Sequence, residues 1–228
     1  MRPQDLGLVN SYNFTVLDES VMSWPTLATE RVLEKMLARD INRSDISGWT
    51  ALHWAATYGR EAVVEGLLEK MSPRAAWATT LEQGRLTALH MAVQGNFVDA
   101  VEAIVARADD VQLAKRDGKK RTALHIAADE GYVDIVRILL ENMDPDDVWN
   151  ADHLGDTALH KTTASGHRDV VKLLLRRVVN ADDLLLQNNL GQTAREVAVT
   201  LRDKRITKLI EDCERSNQVG SRESQEEQ

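Results

Sequence analysis

Cysteine is almost missing: Cys213 stands alone in 228 residues, which excludes an internal disulfide framework and any zinc site built on paired cysteines. Aromatic residues make up only 4% of a chain that is 43% hydrophobic, so its apolar material is mostly Ala, Val and Leu. Such a mixture favours close-packed helices over a sandwich or barrel, whose strands draw on aromatic and β-branched side chains. No apolar run approaches the ~20 residues needed to cross a bilayer. The opening segment, MRPQDLGLVNSYNF, holds no apolar stretch of signal-peptide length. An excess of positive charge is also lacking, and a net charge of -8 argues against a whole-surface attraction to nucleic acid or anionic membrane. The sequons Asn13-Phe14-Thr15 and Asn42-Arg43-Ser44 would matter only on a secretory route, for which there is no entry signal. These absences lead us to expect a soluble, monomeric, intracellular protein, cytoplasmic with the nucleus as the alternative.

What the chain does have is a repeat. Thr50-Ala51-Leu52-His53, Thr87-Ala88-Leu89-His90, Thr122-Ala123-Leu124-His125 and Thr157-Ala158-Leu159-His160 recur at intervals of 37, 35 and 35 residues. A degenerate fifth copy, Thr193-Ala194-Arg195-Glu196, follows 36 residues on, as a terminal capping unit would. Downstream of each tetrapeptide come paired apolar residues: Val63, Val64, Leu67 and Leu68; Ala100, Val101, Ile104 and Val105; Ile135, Val136, Leu139 and Leu140; Val170, Val171, Leu174 and Leu175. Their spacing of one, three and four is a helical stripe.

Read together, TALHxAA, a following Gly and xVVxxLL resemble the ankyrin consensus with its T-P-L-H tetrapeptide, over roughly residues 45–212. The resemblance implies an all-α ankyrin-repeat solenoid of stacked helix-turn-helix pairs with finger loops. The repeats exceed the usual ~33 residues and are similar to the long-repeat ankyrin arrays of fungal multidomain proteins. We expect residues 1–17 to be a segment without usable turn logic and 18–43 an N-terminal capping helix region. Four repeats would follow over 44–188, then a capping repeat over 189–213 and a disordered polar tail over 214–228.

The motif has a local physical logic. A Thr hydroxyl can accept from first-turn N–H groups that lack an intrahelical partner, so each tetrapeptide should start a helix. Gly59, Gly131 and Gly166 lie nine residues on, where reversing the chain calls for positive φ; Asn96, beside Gly95, takes that place in the second repeat. Ser72-Pro73 and Asp144-Pro145 suit an N-cap and first helical position, which predicts an added turn whose Trp77 or Trp149 packs back. Lys161, Thr162 and Thr163 make the fourth repeat the most polar, and fraying should begin there or in the cap beyond it.

Four of the six histidines share one repeat position, so stacking separates them by about a helix–helix distance of ~10 Å, too far for two to share one zinc. The ankyrin resemblance implies an imidazole hydrogen-bonded within its own turn. Lys115, Arg116, Lys119, Lys120 and Arg121 form the one basic cluster, interrupted by Asp117-Gly118. It reads as a solvated loop, or alternatively as an import or acidic-partner patch of a nuclear regulator. No phosphate-cradling glycine loop, nucleophile elbow, HExxH helix or Cys–His pairing occurs, so we expect neither catalysis nor cofactor nor metal, and no nucleic-acid partner. The acidic pairs Asp109-Asp110, Asp146-Asp147 and Asp182-Asp183 fit capping and turn formation.

The resemblance further implies a protein partner, of no particular identity, held on the concave side across the finger tips and the ends of the first helices. Counted from each Thr, that surface is Ile46, Trp49, Thr57 and Tyr58; Leu86 and Gln94; Lys119, Arg121, Asp129 and Glu130; His153, Leu154, Asp156 and Ser165; and Gln192. Trp49 and Tyr58 are the expected anchors, although Trp49 could equally seal the seam with the neighbouring finger.

Overall fold

The computed structural model describes residues 6–82 and 84–226, with side chains to residue 217. It is helical, with only the isolated bridges Val9–Thr15 and Ser44–Thr50 among the described residues. Contacts divide the chain into two compact units, Met1–Lys119 and Lys120–Gln228. No described helix is long and apolar enough to cross a membrane.

In the first unit the inner helices are α1 (Val16–Ser23), α4 (Ala51–Thr57) and α7 (Ala88–Gln94), packed in that order. The outer helices α2 (Thr26–Lys35), α5 (Glu61–Lys70) and α8 (Val98–Val105) pack in parallel succession behind them. The second unit repeats the scheme with inner α10 (Ala123–Glu130), α12 (Ala158–Ser165) and α14 (Ala194–Thr200), and outer α11 (Val133–Asn142), α13 (Arg168–Leu175) and α15 (Lys204–Glu226). Between the layers lies the apolar stripe. Of the sixteen residues read from the sequence as paired apolar positions, all are buried except Leu68 and Leu175, which are half-buried.

All five sequence-identified threonines are N-caps: Thr50, Thr87, Thr122, Thr157 and Thr193 each form a reciprocal capping box with the third helical residue. The helix reversal falls where expected, at Gly59 (φ 62), Asn96 (φ 55), Gly131 (φ 75) and Gly166 (φ 78), with Arg202 (φ 58) in the last repeat. Gly95 itself is helical, so its φ freedom is not used; a Cβ there would lie 2.1 Å from the Phe97 ring, and glycine is needed for room.

The N-terminal expectation is corrected. Thr15 caps α1 in a capping box with Asp18, 35 residues before Thr50, so a complete repeat begins inside the segment read as lacking turn logic. Asp18 takes the place of His: its Oδ2 accepts from the Thr15 backbone N–H (2.7 Å) and hydroxyl (2.8 Å). Trp24-Pro25 replaces the Gly turn, and Pro25 is the N-cap residue from which α2 starts.

The added turn is present after every outer helix that is followed by a further repeat. Besides α6 (Pro73–Ala76) and the 3-10 turn Asp146–Trp149, it recurs as α3 (Ala38–Ile41), α9 (Asp110–Leu113) and the 3-10 turn Ala181–Leu185. Asp109 caps α9 through a box with Gln112, and Asn180 caps the 3-10 turn through Asp183. The repeat length near 35 follows from this extra turn.

At the other end, α15 runs to Glu226, through the segment from 214 expected to be a disordered tail; residues 227 and 228 lie outside the described residues. Its middle is anchored and internally paired. The Cys213 thiol reaches the Leu175 carbonyl at 3.8 Å, and Arg215 pairs with Asp212 one turn back at 2.9 Å.

Candidate protein-binding surface

Each Thr is preceded by a finger loop with one recurrent design. A residue five before the Thr accepts through its side chain from two backbone N–H groups: Asp45 from Ser47 (2.8 Å) and Trp49 (2.9 Å), and Asp152 from Leu154 (2.7 Å) and Asp156 (3.1 Å). Asn10 and Asn188 do the same in the outermost fingers. Two residues before the Thr the backbone turns to positive φ, at Asn13, Gly48, Arg85, Lys120, Gly155 and Gly191. The third finger, before Thr87, is longer by two residues, and there Thr80 substitutes by accepting from the Leu86 N–H at 3.1 Å.

Successive fingers are tied together through their backbones. In the first unit Ile46 N–H donates to Tyr12 C=O (3.3 Å), Leu81 to Ser47 (2.9 Å) and Gly118 to Gly84 (2.7 Å); in the second, Asn189 donates to Leu154 (2.9 Å). The tips are therefore held in register while their side chains stay outside. Tyr12, Ile46 and Leu81 are 60%, 64% and 76% exposed along one edge of the first unit, and Leu154 and Leu190 are exposed along the second. Monomeric proteins seldom leave a row of large apolar side chains uncovered.

The imidazoles fasten each finger to the helix before it. The Thr50 backbone N–H donates to His53 Nδ1 (3.1 Å), which leaves the proton on Nε2, and Nε2 donates to the Leu86 carbonyl at 3.2 Å. In the second unit His125 reaches Asp156 C=O (3.1 Å) and His160 reaches Gln192 C=O (3.0 Å) in the same way. Burial pulls the His53 pKa down to about 4 and that of His160 below its ordinary value. These rings are internal ties.

The candidate residues divide accordingly. Ile46, Gln94, Lys119, Glu130, His153 and Leu154 are exposed, as is Tyr58 at the C-terminal end of α4. Trp49 is half-buried, its ring 4.3 Å from that of Trp54, which in turn meets Phe14 edge-on at 5.8 Å. Leu86, Asp156 and Gln192 lend their carbonyls to the histidine ties. Asp129 accepts from the Ser165 hydroxyl (2.8 Å) and, through its carbonyl, from His167 Nε2 (2.9 Å). Asp156 also accepts from Lys161 (3.0 Å) and Asn188 (2.9 Å). Thr57 donates to the His53 carbonyl at 2.8 Å. Arg121 is half-buried, and within the basic cluster Lys115 turns inward to the Trp77 carbonyl. Sequence reasoning missed Tyr12, Leu81 and Leu190. An apolar residue three or four positions before a Thr was the available signal in two of these fingers, and the two-residue insertion displaced it in the third.

Comparison with known proteins converges on one fold. A family model for ankyrin repeats in three copies matches residues 72–148, one for ankyrin repeats in many copies matches 124–175, and one for a single ankyrin repeat matches 47–76. Together they run from 47 to 175, leaving both outermost repeats beyond their reach. Among solved structures, the ankyrin repeat domain of Bcl-3, described as a unique member of the IkappaB protein family, superposes with a TM-score of 0.74. It is 24% identical in sequence, over 90% of this chain and 86% of that one. No curated protein matches the chain.

Proposed function

The chain belongs to the ankyrin-repeat proteins, and from that premise we propose that it is a scaffold or adaptor whose protein partner lies along the finger tips and the adjoining ends of the inner helices. The observation that carries this reading is the row Tyr12, Ile46 and Leu81, exposed apolar side chains on fingers joined by backbone hydrogen bonds. A rigid row of this kind loses little conformational freedom when covered, which is where interface energy is gained. Tyr58 belongs to the same surface as an amphipathic anchor. Trp49 is better read as a seal, since its stacking on Trp54 holds the first two fingers' aromatic residues together.

A partner recovered by affinity purification and mass spectrometry provides the test. Tyr12→Ala, Ile46→Ala and Leu81→Ala should each weaken its binding, the central one by about 2 kcal/mol or more, with the melting temperature unchanged. Tight binding by the triple variant would refute this placement. The alternative of a nuclear regulator working through residues 115–121 is less well supported, because Lys115 is already engaged by Trp77. We read the chain as a binding protein rather than an enzyme.

A further inference from the structure

The helix α15 begins Lys204-Arg205-Ile206-Thr207-Lys208, and cations are disfavoured at the positive end of a helix. Its free N–H groups are already met by Asp203, whose Oδ1 accepts from Arg205 (2.9 Å) and Ile206 (3.1 Å). Ile206 and Ile210 turn inward, completely buried, while Lys204, Arg205 and Lys208 are exposed. These cations serve neither the helix nor its packing.

Beside them, between α14 and α15, runs an open groove of about 550 Å³ lined by Val199, Arg202, Lys204, Thr207 and Lys208, with Glu211 and Arg215 at its far end. Val199, 56% exposed, is the apolar side chain of this lining. Arg202, Lys204 and Lys208 form no ion pair among the described residues, whereas Arg168 is paired with Asp203 (3.5 Å), Lys172 with Asp169 (2.8 Å) and Arg215 with Asp212 (2.9 Å). On a chain of net charge -8, this is a local concentration of uncompensated positive charge around an exposed valine.

We propose that this groove docks an acidic amphipathic segment of a partner protein, its apolar side chains on Val199 and its carboxylates against Arg202, Lys204 and Lys208. Charge complementarity selects the occupant. A nucleic-acid strand is a poorer fit, because no aromatic ring lines the groove to stack on a base and Glu211 interrupts the cations. The surface is separate from the finger tips.

The probe is a fluorescently labelled amphipathic peptide of Leu and Glu, titrated with the full chain and followed by anisotropy. It should bind, more weakly as salt is raised. Its affinity should fall roughly tenfold or more in Arg202→Glu/Lys208→Glu and in Val199→Asp, at unchanged melting temperature. The neutral Lys204→Gln/Lys208→Gln variant should weaken binding in the same direction. Ile46→Ala/Leu81→Ala should leave it intact, which separates this proposal from the finger-tip reading. Absence of binding, equal binding by the charge-reversed protein, or equal binding of a Leu and Lys peptide would overturn it. So would displacement of the peptide by a single-stranded oligonucleotide at lower concentration, which would assign the groove to nucleic acid.

Discussion

His53 Nε2 donates to the backbone carbonyl of Leu86, 3.2 Å away and 33 residues further along the chain. One ring thus closes its own helix start, through Nδ1 and Thr50, and secures the next finger. Both bonds require the neutral imidazole with its proton on Nε2, since a second proton on Nδ1 would face the Thr50 N–H.

A pH dependence follows. Burial holds the folded-state pKa of His53 down to about 4, against an ordinary 6.5. Between those values the unfolded chain binds the proton and the folded one does not, so stability is complete above pH 6.5 and declines as pH falls towards 4. At ~1.4 kcal/mol per pH unit the loss from this group approaches about 3 kcal/mol. Urea unfolding across that range should show the decline, and His53→Gln should make it shallower, the remainder including the share of His160. Gln preserves the capping box but not the imidazole's titration. An unchanged slope in the variant would assign the pH dependence elsewhere.

Gly131 and Gly166 share a left-handed conformation, φ 75 and 78, but differ in surroundings. A Cβ at Gly131 would lie 2.5 Å from His167 Nδ1, whereas at Gly166 nothing comes within 4 Å. Gly166→Ala should therefore cost only the conformational penalty, about 1 kcal/mol. Gly131→Ala should cost distinctly more, because the displaced ring loses its bond to the Asp129 carbonyl. Thermal melts of the two single variants decide this, and equal losses would mean that His167 yields freely.

The parts of this fold legible in the sequence are those whose cause is local. Thr50 caps because a hydroxyl sits three residues before a suitable partner, and Gly131 turns because no Cβ opposes it; both reasons travel with the residue. The first repeat was hidden because the same tasks are done by different side chains, Asp18 for His and Trp24-Pro25 for Gly. Two extra turns announce themselves by proline, and the acidic pairs Asp109-Asp110 and Asp182-Asp183 fit capping, the role Asp109 takes at α9 and Asp183 shares with Asn180 in the turn at 181–185. The finger surface was legible at Ile46 and Leu154. Leu81 was not, since its exposure depends on a two-residue insertion that lengthens the loop, with Thr80 recreating the turn's hydrogen bond.

The fourth repeat's polarity, read from the sequence as a weakness, is mostly compensated. Burial alone would raise the Asp152 carboxyl, but Lys161 at 3.0 Å and the N–H groups of Leu154 and Asp156 outweigh it and hold its pKa below the ordinary value. Thr162 donates to the His167 carbonyl at 3.2 Å. Thr163 is the exception: its hydroxyl is buried and has no hydrogen-bond partner. The residue at the same place in α7 is Val93, completely buried, so the layer accepts a β-branched apolar side chain of this shape. Thr163→Val removes an unsatisfied polar atom without opening a cavity and should stabilise the protein by about 1 kcal/mol. Hydrogen exchange should then show slower opening of α12, whose amides report fraying of this repeat. A loss of stability instead would mean that the hydroxyl has a partner in solution, a bound water being the simplest.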